Sequence, residues 1–408
     1  MIKLIYYEMT KVLSNKFYIG LIVALLLITA VDVVRPWEGL TIRDQIQRNE
    51  IVDALYRANT LDDDDLNNLI YELKTLHWHH PQYDPTAPND LPVLEPPPQY
   101  DYNAPGIFSK TIMGDSFLMY KLDSLIRQHN ETLEVRANIV NTAKRFGALA
   151  VQNNDNFNIR MNATIIQLYS NNIDRNLLPT ENFDTHYFSY QTHSVFIVIV
   201  VSVLFSTIFS NEYAIKLVTI QNTTKRGFNH TVLAKFIAGA LMAFFIALLF
   251  SLLVLFAVTA RYGLWGWLAN VSLIKSMMIS HLDINILSYM ILDIIFKTLG
   301  AVFLAIICVT ISFFTKNNLR SYALSTLILL IFYASSIFLN TNPTLLSSLF
   351  NVIYWFDSQF WFYRYQAVNI LSFPVEWVAV YITFWILVSF ILVAICVYFK
   401  ERVKPKAM

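Results

Sequence analysis

Charge is scarce in this chain: Asp, Glu, Lys and Arg make up 14% of its 408 residues, against about 25% in a typical soluble protein. The shortfall points to lipid as part of the solvent, and 55% of the residues are hydrophobic. The net charge of +1 provides no basic field for nucleic acid. Cysteine is nearly missing. Cys308 and Cys396 both fall inside long apolar stretches, which excludes a disulfide between exposed loops and a cysteine metal site. No stretch reads G-x-x-x-x-G-K-[ST], so the chain carries no phosphate-binding loop for ATP. Neither G-x-S-x-G nor H-E-x-x-H occurs. The expectation is a protein without an active site, cofactor or metal of its own.

Long hydrophobic runs are what the chain has instead. They cover 17–34, 187–209, 236–258, 287–314, 322–339 and 377–399. About 20 apolar residues cross roughly 30 Å of hydrocarbon, so each run is long enough to span, allowing for tilt. The first has 18 residues and follows a long leader without a small-x-small cleavage site, which reads as an uncleaved anchor. In the leader, Ile2, Ile5, Tyr6, Met9, Val12 and Leu13 recur at helical spacing, opposite Lys3, Thr10, Lys11 and Ser14. That pattern predicts an amphipathic helix in the membrane interface.

The expected organisation is an interfacial helix at 1–16, a first transmembrane helix at 17–34, an extracellular domain at 35–186, transmembrane helices two to six within 187–399, and a tail at 400–408. The fold class is an all-α polytopic membrane protein. Charge sets its orientation. The leader, the loops 210–235 and 315–320, and the tail hold 13 Lys or Arg against 3 Asp or Glu. The loops 259–286 and 340–376 hold only Arg261, Lys275 and Arg364 as cations. By the positive-inside rule both termini are cytoplasmic.

The outer block is acidic, with 13 Lys or Arg against 21 Asp or Glu over 35–192. Helices are expected at 41–59, 61–76, 115–149 and 159–172. The run Asp62 to Asp65 opens the second of these, where carboxylates face the positive end of the helix dipole. His77, His79 and His80 read as a helix end in preference to a zinc site. Eight prolines between Pro81 and Pro105 then forbid a helix. Asp293 and Lys297 stand four apart inside an apolar run, on one helical face, where they can pair. They form a membrane-embedded polar spot, either structural or on a substrate path or dimer seam. The aromatic cluster from Phe350 to Tyr365 suits a short helix in the outer interface.

The loop after the second run carries the most specific pattern: Glu212 just past the span, Lys216, a short polar helix, Thr224-Lys225-Arg226-Gly227, and Lys235 opening the third run. This order resembles the permeases of the type-2 ABC exporter superfamily. The resemblance extends to Ile311-Ser-Phe-Phe-Thr-Lys-Asn-Asn318 and the amphipathic leader. The large outer block is similar to that of members with an insertion between spans one and two. Ile215-Lys216 departs from the Gly-Thr that many relatives have after the acid.

The resemblance implies that Glu212, Lys216, Thr224, Lys225, Arg226, Gly227 and Lys235 couple the chain to separate ABC ATPase subunits, which hold the ATP and Mg²⁺. It also implies a second permease copy, identical or related, and a bacterial cytoplasmic membrane. The implied cargo is an amphiphilic peptide, antibiotic or lipid-like molecule. The alternatives are sodium or ion extrusion, and mechanotransmission to extracellular partners without transport. Cysteines introduced at 215–226 are expected to react with an impermeant maleimide only once the cytoplasmic face is opened. Labelling from the outer face would reverse the topology.

Overall fold

In a computed structural model, described residues are 1–34, 112–171, 192–214, 227–262, 266–339 and 348–403, with isolated positions in 55–68 and 173–187. The expected helices at 41–59 and 61–76, the three histidines and the proline-rich stretch lie largely or wholly outside them.

The architecture is mainly helical. Among the described residues, five helical stretches are each long and apolar enough to cross a membrane: His193–Tyr213, His230–Ala260, Ile286–Thr315, Asn318–Ser336 and Trp377–Phe399. A sixth span results only if Ile2–Leu13 and Lys16–Val31, bent by 71°, are taken as one.

The chain opens with α1 (Ile2–Leu13) and α2 (Lys16–Val34). The bend between them is capped by Asn15, whose side chain accepts from the Phe17 amide at 3.0 Å. Two faces were expected of α1, and it has three. Glu8 and Val12 are buried against the bundle. Ile2, Tyr6 and Leu13 form an exposed apolar stripe, and Lys3, Thr10 and Ser14 an exposed polar one. The α2 helix is held by Tyr18, whose hydroxyl lies 3.0 Å from that of Thr207.

After the outer block come α5 (Thr192–Phe205), the short α6 (Ser210–Ala214), α7 (Gly227–Tyr262), α8 (Ile286–Thr315) and α9 (Asn318–Leu339). Among the described elements, α7 and α8 pack along each other most extensively. The turn from α8 to α9 is tight: Lys316 adopts φ 52°, which ends the helix at once. Asn285 starts α8 by accepting from the Ser288 amide at 2.8 Å.

Within the outer block, the expected helices at 115–149 and 159–172 are found as α3 (Ile112–Gln152) and α4 (Asn156–Tyr169). Asp155 caps α4 from the Asn158 amide at 3.0 Å, and these hydrogen bonds hold its carboxyl below the usual range. The pair docks on the loop before α8 through Arg136. Its guanidinium donates to Ser272 Oγ and to the Ser280 carbonyl, both at 3.4 Å, and to the Leu168 carbonyl at 3.0 Å. Burial pushes Arg136 below its usual range, opposed by the charge of Asp283.

One expectation is corrected by the segment before the last span. The aromatic cluster does not lie as a helix on the outer surface. It folds as a 3-10 turn, Val352–Phe356, and a helix, α10 (Ser358–Phe362), with Tyr354, Trp355, Phe356, Trp361 and Phe362 buried. Its backbone is satisfied internally, which permits burial: Tyr381 donates to the Asn351 carbonyl and Trp361 Nε1 to the Tyr354 carbonyl, each at 2.8 Å. Helix dominates as the all-α reading expects, and a short hairpin stands beside it. Strands β1 (Ala367–Ile370) and β2 (Phe373–Glu376) form an antiparallel hairpin that runs directly into α11 (Trp377–Val403).

Trp355 wedges among Phe296, Phe303 and Tyr381, with ring centroids 5.1, 4.9 and 4.9 Å away. Gly300 makes room for it, since a Cβ there would collide with Trp355 Cβ. Replacing Gly300 with Val is therefore expected to destabilise the fold by about 1–3 kcal/mol, the usual cost of overpacking. Thermal unfolding of the purified protein reads this as a lower midpoint, and an unchanged midpoint would show that the wedge is not packed.

Candidate functional site

The first of two buried charge clusters forms where the second span breaks. After Phe205 the helix is interrupted for a turn before α6. The polar groups freed there find partners on α8 and α9. Ser312 Oγ accepts from the amides of Phe209 and Ser210 at 2.9 and 3.1 Å, and Ser321 donates to the Ser206 carbonyl. The interruption brings Glu212 beneath α1, facing α7.

Lys235 has no exposed surface, and it stands nine residues into α7 instead of at its start. Its Nζ donates to Glu8 Oε2 at 2.6 Å and to Glu212 Oε1 at 2.8 Å. Lys11 donates to the same oxygen of Glu212. Glu8 and Glu212 are each 1% exposed. Two ammoniums thus balance two carboxylates, drawn from α1, α6 and α7. Balance is what makes the burial tolerable, since a buried charge without a partner costs several kcal/mol. The ring of Phe209, centred 5.4 Å from the ammonium, closes another side.

Of the sequence-predicted coupling residues, the structure brings together Glu212 and Lys235. Lys216, Thr224, Lys225 and Arg226 lie outside the described residues, and Gly227 is described only as the first residue of α7. Glu8 and Lys11, counted in the sequence only towards topology, belong to the cluster. The available signal was the position of Glu8 as the single acid of the leader.

The second cluster contains the expected pair. Lys297 donates to Asp293 Oδ2 at 2.6 Å across one turn of α8, and both are buried. Asp293 lies seven residues into α8, about 10 Å along its axis. Around the pair stand residues the sequence did not connect to it. Tyr187 donates to Asp293 Oδ2 at 3.1 Å and Ser358 to Oδ1 at 2.7 Å. The Tyr289 hydroxyl is 2.9 Å from Ser358 Oγ. Lys297 Nζ is 3.1 Å from His193 Nε2. With the ammonium as donor, Nε2 is the acceptor, which assigns the imidazole proton to Nδ1.

Asp357 begins α10 close by and accepts from the Phe360 amide at 3.3 Å. Burial raises its carboxyl above the usual range. Its backbone hydrogen bonds and Lys297 work against that rise, and Asp293 adds to it. The cluster ties α8 to the start of α5 and to the buried aromatic segment. Among the described residues, no group of three or more His, Cys, Asp or Glu side chains is placed to hold a metal ion.

Substituting Lys235 with Met strands Glu8, leaves Glu212 with Lys11 alone, and is expected to cost about 3–5 kcal/mol. Adding Glu8→Gln and Glu212→Gln to that variant removes the stranded charges and should recover most of the loss. Unfolding midpoints of the single and triple variants check this; a single variant as stable as the parent would rule out the buried pairs. Comparisons with protein-family models, with curated proteins and with solved structures return no match to this chain.

Proposed function

We propose that the chain is the membrane permease subunit of an ATP-driven exporter resembling the type-2 ABC superfamily. The observation that supports this reading is the inner cluster. Glu212 and Lys235 bracket the segment 215–226, and they are bonded to each other and to α1. A partner that pushes on that segment acts on the second span, the third span and the leader helix together. This is the mechanical requirement on a subunit that has no phosphate-binding loop and depends on another chain for ATP hydrolysis.

In this reading two ATPase subunits, holding ATP and Mg²⁺, grip the cytoplasmic face of a pair of permeases in a bacterial cytoplasmic membrane. Lys216, Thr224, Lys225, Arg226 and Gly227 belong to the gripped surface. The second permease copy is the same chain or a related one. Closure of the ATPases moves the bracketed segments and opens a path outward for an amphiphilic peptide, antibiotic or lipid-like molecule. Asp293 and Lys297 hold the outer half of the fourth span against the aromatic segment during that movement.

A second reading, mechanotransmission without transport, draws support from Arg136. Through it α3 and α4 are bonded to the loop that leads into α8, so a shift of that span would carry the outer helices with it.

Purification from the native membrane is expected to bring down an ATPase. Replacing Lys225 and Arg226 together with Ala should lower transport-coupled ATP hydrolysis by about tenfold, within the usual range of coupling energies, while leaving yield intact. Hydrolysis unchanged in that variant would refute the coupling role. A chain that moves its cargo with no ATPase present would end the exporter reading altogether.

A further inference from the structure

The hairpin before the last span carries a leucine where two separate physical preferences oppose it. Ile370 pairs with Phe373 across a two-residue turn, Leu371-Ser372, and both turn residues have positive φ, 51° and 67°. Such a turn favours Asn-Gly or Asp-Gly, because Cβ crowds the following carbonyl oxygen in the left-handed region, a cost that glycine lacks and that the short polar side chain of Asn or Asp offsets by local hydrogen bonding. Leu371 is also 90% exposed, the most exposed of the large hydrophobic residues, and Ile370 and Phe373 beside it are 44% and 58% exposed. The hairpin would form more readily with a polar residue at the tip. Folding therefore gives no reason for leucine there, and an observed outlier of this kind is an argument for function.

We propose that the tip Ile370-Leu371-Ser372-Phe373 is a membrane finger that inserts into the boundary between headgroups and acyl chains of the outer leaflet. Continuity with the membrane domain selects this occupant. The second strand ends at Glu376, and Trp377 begins the last span without an intervening loop. Leu371 is six residues from Trp377, an extended reach of at most about 20 Å, so the tip can lie along the bilayer surface beside the span it precedes.

The chemistry at the tip fits the same layer. The Arg160 guanidinium of α4 sits 3.9 Å from the Phe373 ring centroid and 3.4 Å from the Ser372 carbonyl. One cation thus stands beside three apolar side chains, an arrangement that meets lipid phosphates on one side and acyl chains on the other. Asn369 accepts from the Ser372 amide at 2.9 Å and keeps the turn closed. His281, 2.9 Å from Glu376, holds the base of the hairpin to the loop before α8. The finger is accordingly fixed at its base by His281 and along one side by Arg160, and the Leu371 side chain is left exposed. None of this depends on whether the chain transports anything.

The test uses the full-length chain in lipid nanodiscs, with Cys308 and Cys396 replaced by Ala and an environment-sensitive nitrobenzoxadiazole probe on Leu371→Cys. The expected result is blue-shifted emission, quenched by lipids spin-labelled near the headgroup and little affected by aqueous iodide. A probe on Glu134→Cys, exposed on α3, should behave in the opposite way. Iodide quenching at 371 equal to that at 134 would overturn the proposal, and so would crosslinking of the tip to a second copy or to another protein. Leu371→Asn, which suits the turn, should fold at least as well as the parent in detergent. It should also abolish lipid quenching of a probe on Phe373→Cys; quenching that survives this change would equally overturn the proposal.

Discussion

A fully buried ammonium must find opposite charge within reach, and much of one end of the helical bundle follows from how Lys235 does so. Water is excluded from its position, so its charge has to be met by side chains. Glu8 comes from the leader helix and Glu212 from the broken end of the second span. Lys11 then balances the second carboxylate. The break after Phe205, the serines that absorb its loose backbone groups, and the bend between α1 and α2 all serve to bring those carboxylates to one point. The leader is consequently a structural member of the bundle on one face while keeping an apolar stripe and a polar stripe on the others.

The other end of the bundle is organised on the same principle with different partners. Asp293 and Lys297 neutralise each other within one helix turn, and hydroxyl groups from Tyr187 and Ser358 complete the carboxylate. The aromatic segment that supplies Ser358 packs Trp355 against the groove at Gly300. Polar pairing and aromatic packing therefore fix the same segment from two sides. Arg136 extends the connection to the outer helices with hydrogen bonds to a carbonyl of α4 and to the loop before α8. Helices α3 and α4 are in this way bonded to the bundle as well as covalently joined to it.

Hydropathy made the spans legible because a run of apolar residues of bilayer length has few other uses. It located their centres better than their ends. The third span's helix begins at Gly227, eight residues before Lys235, because polar helical turns beyond the hydrocarbon leave no hydropathy signal. The pairing of Asp293 with Lys297 was legible from spacing alone. Its partners at 187, 193 and 358 were not, since nothing local marks contacts made across more than a hundred residues or between separate elements. The aromatic cluster misled because its density suits an interface as well as a core, and only internal satisfaction of its carbonyls decides between them. The hairpin was hidden by Pro374 and by its short strands, and Glu8 by standing alone among basic neighbours. The coupling segment itself rests on resemblance, with only its two brackets placed by geometry.

Glu8 and Lys235 are separated by 227 residues. At about 5–20 residues per second, a ribosome needs on the order of 10–50 s to pass from one to the other. Through that interval the acid of the leader can pair only within its own helix, where Lys11 stands one turn away. The bond from Lys235 to the leader is thereby a late event in folding, possible only once α7 has been made.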